Sequence, residues 1–372
     1  MPESLSSPPD RAGAAKIAGA IIRRELREFV TVRRSDRPWQ LPFAVAVAVG
    51  LPMAAGVWFS EMREAALGSI GAMTILYIPR TRLDHRMASL MAAAFGMTAC
   101  YALGQLSHLV PEARLPIIAL VAMLVTMACR YYRVGPPGPL FFVMAATIGA
   151  FAPGQLGDAA AKLGVFALGT MGAVIVGLIY SLHMLRSRAP IPALRPPNDL
   201  LDAVVIEALI IGLFVALSLG AAQFLGIEKP YWAPISCLAV IQGVNLRAVW
   251  NRKIQRIVGT MIGLGVTWLL VRYAAYPWAV ASTIVILTFL IEMAIVRHYA
   301  FAAIFITPVA ILLAEASTLG LTDSSGLIAA RFADTVVGAL IGLAGGVCLH
   351  NPVLRQRLRG WLSSVSGAKQ RV

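Results

Sequence analysis

The chemistry open to this chain rests on a few ionisable and polar side chains set within long apolar runs. Arg331 and Asp334 stand three residues apart in one such run, on the same face of a helix if the run is helical. A charge at the centre of a bilayer costs about 2.5–3.5 kcal/mol even on the gentlest scale, so groups at that depth are either paired or functional. Asp334 and Arg331 therefore read as a proton-coupling or gating pair, or else as a structural ion pair. Glu292, shortly before Arg297 at the end of another run, carries the same functional reading, set against one in which its carboxylate snorkels to the interface beside Arg297. Glu207 and Glu315 lie nearer the ends of their runs and are weaker candidates.

A second group suits an anion. Tyr231 and Trp232 open a short apolar run, Gln242 and Asn245 close it, and Arg247 follows directly; Arg80 follows an earlier short run in the same way. An arginine presents a planar pair of N–H donors that fits a carboxylate, which lysine cannot reproduce. These six residues are candidates for substrate binding or translocation. The competing assignments are interfacial anchoring for the aromatic pair and orientation-setting charge for the arginines. Other chemistries find no support. His85, His108, His183, His298 and His350 fall near run ends without metal-ligand spacing, and no glycine-rich loop ends in Lys-Ser or Lys-Thr. Cys100, Cys129, Cys237 and Cys348 each sit alone in an apolar run, as small packing residues do. No enzyme activity, cofactor or metal is expected, and any transport would run on an ion gradient, a membrane potential or downhill.

The elements that must position these residues are membrane helices. Of 372 residues, 58% are hydrophobic and 13% charged, and the mean hydropathy is +0.75; a soluble domain carries roughly 25% charge. The net charge of +14 would suit nucleic acid, but the basic residues cluster between apolar runs, where they encode orientation, so nucleic acid is not an expected partner. Residues 1–38 read as a disordered start and then a basic amphipathic helix, with Ile17, Ile21, Leu26 and Phe29 opposite Arg23, Arg24 and Arg27, lying along the membrane interface. No cleavable signal peptide is apparent.

Twelve apolar segments follow, at about 40–59, 65–79, 87–110, 115–130, 139–152, 162–185, 203–226, 231–246, 255–271, 276–296, 300–316 and 327–349. With the N-terminus inside, 26 of the 32 Lys and Arg face the cytoplasm, the asymmetry the positive-inside rule demands, so both termini are expected there. At a constant offset of 167 residues Glu61 aligns with Glu228, Ser69 with Ser236, Arg80 with Arg247, Gly96 with Gly263, Arg130 with Arg297 and His183 with His350. The expected fold is thus an all-α polytopic membrane protein of about 12 transmembrane helices, arranged as two parallel six-helix repeats related by a pseudo-twofold axis along the membrane normal. The repeats would span 39–186 and 202–350, joined by a Pro-rich cytoplasmic linker at 187–201 and followed by a basic tail at 351–372. The second and eighth segments are short and interrupted by Gly68, Gly71, Pro234 and Gly243, which in a repeat transporter points to the binding site; tilted packing helices are the alternative.

The stretch from Tyr231-Trp232 to Arg256, Gly259, Thr260 and Gly263 resembles the second-half signature of the fusaric-acid-resistance (FUSC) and aromatic acid exporter family. Arg297-His298-Tyr299-Ala300, Thr307-Pro308, the span Arg331 to Gly338, and Gly135-Pro136-Pro137-Gly138 in the first half extend the likeness. In the chain's own terms Gly259 and Gly263 are a small-residue pair for close helix packing, and the resemblance marks Arg256, Gly259, Thr260, Gly263, Thr307 and Pro308 as structural residues of the family motif. The resemblance implies a bacterial inner-membrane transporter that exports small organic or aromatic acid anions on an ion gradient. Plant aluminium-activated malate channels look related, which leaves a passive anion channel as the alternative, and a structural or lipid-handling envelope protein as a third. Larger family members carry a soluble domain after each membrane half, for which the short linker and tail leave no room, so a periplasmic export partner stays open. The expected partners are the lipid bilayer, a small organic anion and, as an open alternative, a second copy of the chain.

Overall fold

The structure is a computed structural model that describes residues 37–154, 156–186, 189–192, 201–243, 245–270, 276–314 and 324–365. The amphipathic segment expected at 14–32 and most of the 187–201 linker lie outside the described residues. Every described element is helical. Twelve helices, α1 to α12, match the twelve apolar segments: Gln40–Phe59, Met62–Ala72, Leu83–Leu106, Arg114–Tyr131, Leu140–Phe151, Ala159–Leu185, Leu201–Phe224, Trp232–Ile241, Leu246–Leu270, Pro277–Ala294, Tyr299–Ala314 and Ser324–His350. A thirteenth, α13 (Pro352–Val365), forms part of the basic tail.

Length separates them into two kinds. Among the described residues, seven helices (α1, α3, α4, α6, α7, α10 and α12) are long and apolar enough to cross a membrane by themselves. Helices α5, α8 and α11 are apolar but shorter. Ten residues of α8 rise about 15 Å, half of a hydrocarbon core of about 30 Å. Helix α2 stops after 11 residues and runs on as a 3-10 turn, Met73–Tyr77, with the Thr74 hydroxyl donating to the Gly71 carbonyl at 2.8 Å. Helix α8 ends at Gln242-Gly243, where a Cβ on Gly243 would lie 2.5 Å from the Val249 nitrogen, so only glycine lets the chain turn so tightly into α9. The sequence suggests a basic hairpin there and a span starting near 255. Instead the Asn245 side chain caps the Ala248 N–H at 2.8 Å and α9 begins at Leu246, placing Arg247, Arg252, Lys253 and Arg256 on helical turns.

The short helices are central and the long ones surround them. All of α8 except Ala239 is buried, as are seven of the 11 residues of α2. Helix α2 packs along α6, and α8 along α12; α3 packs on α5 and α6, and α9 on α11 and α12. Helix α1 lies against α2, α6 and α10, while α7 lies against α8, α12 and α4. The outer faces carry exposed Phe95, Leu168, Met171, Ile175, Ile179, Met261 and Leu269, with Trp39, Trp58, Phe59, Phe224, Tyr276 and Trp278 near helix ends. An apolar girdle with aromatic rims is the surface a protein presents to lipid.

Candidate functional site

Close contact between α8 and α12 builds the site. A Cβ on Gly338 would lie 2.2 Å from the Ala233 carbonyl oxygen, and one on Gly342 would lie 2.6 Å from that of Cys237. With no side chain between the two backbones, Arg331 on α12 comes to rest over Trp232 at the start of α8, its guanidinium carbon 3.9 Å from the ring centroid. The contact continues as a ladder. Trp232 and Tyr231 have ring centroids 5.2 Å apart, Tyr231 and Phe151 6.1 Å, and Arg114 stands 5.4 Å over Phe151. Phe151 belongs to α5, so the ladder ties the two halves of the chain together.

Inside lies a cavity of about 1720 Å³, larger than the roughly 300–1,000 Å³ of an ordinary ligand pocket. Its waist is apolar, formed by Val45 and Val49 of α1, Ile70 of α2, Met144 of α5, Ile235 of α8 and Ile306 of α11. Its lining reaches both ends of the bundle. At one end stand Arg63 and Lys162, both donating to the Pro153 carbonyl at 2.8 Å, and Lys229. At the other stand Arg80, Arg130, Arg247, Arg252 and Arg297. With Arg37, Arg256 and Arg331, eleven cationic side chains line it against three carboxylates, those of Glu64, Glu228 and Glu292. Low-dielectric walls lined by one sign of charge focus field on counter-ions, so the cavity suits anions.

Most residues that the sequence singles out meet here. Tyr231, Trp232, Gln242, Asn245, Arg247, Arg80, Arg331 and Glu292 all line the cavity. Asn245 has the second task of capping α9, as described above. Gln242 faces the Pro136-Pro137-Gly138 turn, which Tyr77 holds by donating to the Gly138 carbonyl at 2.7 Å, while its own Nε2 has no partner among the described residues. Asp334 is 0% exposed and lies behind the lining. Neither of its carboxylate oxygens has a hydrogen-bond partner, and no ion pair joins it to Arg331, whose Nε and Nη1 are likewise unpartnered among the described residues. Glu292 is joined to Arg37 at 2.6 Å, with a second donation from Arg37 to the Glu292 carbonyl at 3.4 Å, so its observed partner is Arg37. Glu207 sits between Arg130 at 3.3 Å and Arg355 of α13 at 3.6 Å.

The glycine-spaced positions act in packing. Gly259 meets Ala303 and the Ala300 carbonyl, Gly263 meets Thr307 and the Ile304 carbonyl, and Thr307 donates to Ala303 at 3.2 Å. Thr260 is buried in the same helix, and Pro308 lies within α11. Arg256 differs from these neighbours. It is buried, lines the cavity, reaches the Ser236 hydroxyl at 3.5 Å and leaves its Nε unpartnered. In sequence Arg256 stands out only as part of the family motif, with a structural role, and its unpartnered Nε shows only in the fold. Arg37 and Phe151 carry no local signal, because their partners are remote in the chain.

These features define a polytopic, all-helical membrane protein built around a basic internal chamber. Residues 215–345, in the second half of the chain, match the family described as fusaric acid resistance protein-like. Among curated proteins, the uncharacterized membrane protein YvaC of Bacillus subtilis (strain 168) is 33% identical over 165 residues, which cover 44% of this chain and 26% of that protein. The chain spans about a quarter of that relative's length. No solved structure matches.

Proposed function

We propose that the protein is a bacterial inner-membrane transporter that exports small organic acid anions, aromatic carboxylates among them, with an ion gradient as driver. One observation carries this reading: an internal chamber that reaches both ends of the bundle and whose charged lining is overwhelmingly cationic. Its apolar waist and aromatic ladder suit a planar apolar body, and its arginines suit a carboxylate. The match to the fusaric acid resistance protein-like family supports the same class.

In this reading all twelve helices cross, as two parallel six-helix repeats at 39–186 and 202–350, with both termini cytoplasmic. The packing supports it, because pairs recur at the offset of 167: α2 on α6 and α8 on α12, α3 on α5 and α9 on α11. Helix α1 pairs with α10 and α7 with α4, so each repeat lends its first helix to the other. The lining at both ends favours a second reading, a passive anion channel. Benzoate flux in proteoliposomes decides between them. A gradient-driven exporter moves benzoate when a pH gradient is imposed and carries little current under voltage clamp, whereas a channel passes current without the gradient. Absence of both flux and current would discard both.

A further inference from the structure

Arg256 and Arg331 are the two cations of the cavity that lie deepest, 4% and 3% exposed, and both present guanidinium nitrogens to which nothing in the described residues bonds. An unsatisfied buried charged group is costly, so such donors are expected to be met by something the cavity admits. They come from different helices, α9 and α12, and converge on α8. Arg256 reaches Ser236, whose Cβ packs within 2.8 Å of the position a Cβ on Gly338 would take, and Arg331 is held flat over Trp232. Their charges oppose each other, and Asp334, one turn along α12 from Arg331, offsets one of them from behind the lining. With Asp334 ionised, the three groups carry one net positive charge, which one monoanion neutralises and a dianion does not.

We propose that Arg256, Arg331, Ser236 and the Trp232 ring form a single carboxylate subsite that takes one aromatic monocarboxylate, and that only the second half of the chain contains it. The carboxylate lies between the two guanidiniums and the Ser236 hydroxyl, and the aromatic body lies toward Tyr231 and the apolar waist. At the offset of 167 the first half holds Ser89 for Arg256, Gly164 for Arg331, Ala65 for Trp232 and Ala167 for Asp334, so it supplies no cation at either place. The chamber is therefore built from two similar halves and holds one anion, with the mouth arginines Arg80 and Arg247 attracting it and the buried pair holding it. This inference rests on the organic-anion reading above.

Its test uses the full chain in lipid nanodiscs with benzoate as the probe. Calorimetry is expected to give one benzoate per chain, and terephthalate, a dianion of similar width, is expected to bind at least about tenfold more weakly. Arg256→Gln should weaken benzoate about tenfold or more, the loss expected for a hydrogen bond to a charged group. Should that variant fail to fold, Ser236→Ala, which removes one buried hydroxyl, should weaken benzoate several-fold while leaving the stoichiometry at one per chain. Benzoate that binds Arg256→Gln or Ser236→Ala as tightly as the wild type, or two benzoates per chain, overturns the subsite and leaves the anion reading standing. A wild-type protein that neither binds nor moves benzoate or related acids overturns both.

Discussion

Replacing Gly338 with alanine should disrupt the site without touching one of its polar groups. The new Cβ would sit 2.2 Å from the Ala233 carbonyl oxygen and 2.8 Å from the Ser236 Cβ. The first obstacle is backbone and cannot rotate away, so α8 and α12 must separate by about 1 Å, enough to forfeit a quarter to a half of the dispersion attraction across the gap. Overpacking of this kind costs about 1–3 kcal/mol. Gly265 on α9 has nothing within 4 Å of its added Cβ, so Gly265→Ala is a matched control. There alanine should gain up to about 1 kcal/mol of helix propensity. Gly338 is helical as well and carries the same gain, so the two variants should differ by the overpacking cost of about 1–3 kcal/mol in stability, read by circular dichroism during unfolding in mixed dodecylmaltoside and SDS micelles. Because the same separation lifts Arg331 off Trp232, tryptophan fluorescence should shift in Gly338→Ala and stay put in Gly265→Ala. Equal stability and unchanged emission in the two variants would refute the claim that backbone contact between α8 and α12 sets the site.

Asp334→Asn, which keeps the shape of the side chain but cannot ionise, should abolish the dependence of benzoate flux on the pH gradient; unchanged dependence would return Asp334 to a packing role. Asn245→Ala should cost about 0.5–2 kcal/mol through loss of the α9 cap, whereas Asn245→Ser keeps a capping oxygen and should retain flux. Loss of flux in a stable serine variant would mean that Asn245 contacts the substrate. Arg247→Lys should insert normally and slow flux, since it keeps the charge but removes the guanidinium fork; wild-type flux would make Arg247 an orientation determinant alone. Accessibility tags at Asp158 should be reached from the periplasm and tags beside Arg252 from the cytoplasm, and finding both on one face would remove the parallel repeats.

How far the sequence could lead depended on distance along the chain. The apolar runs marked α1 to α12 closely, because hydropathy is a local property, and the shortness of α2 and α8 showed in their glycines and prolines. Starts of helices were harder. Arg247 to Lys253 are polar enough to pass for a loop, and only the Asn245 cap makes them the first turns of α9. Partners were hardest of all. Glu292 looks toward nearby Arg297 in sequence, yet its bond is to Arg37, 255 residues away. Arg256 is hidden for a related reason: it shares one helical face with Gly259 and Gly263, which meet α11, yet nearer the start of α9 that same face lines the cavity with Arg252 and Gln255. A glycine pattern shows that some helix comes close, and not how far along its own helix the contact runs.

The pairing of α1 with α10 has a consequence for biosynthesis. The bond between Arg37 and Glu292 joins groups 255 residues apart, and at about 5–20 residues per second a ribosome needs on the order of 10–50 s to make the intervening chain. For that interval α1 is already synthesised while the face that meets α10 has no mate, and α4 waits in the same way, more briefly, for α7. A nascent first half is thus an incomplete object in the bilayer, dependent on insertion machinery or on lipid to cover it. Ribosomes that stall near the linker would release a fragment with sticky flanks. Two such fragments could exchange first helices with each other, so a split gene encoding the halves separately would be expected to yield a working assembly only when both products are made together.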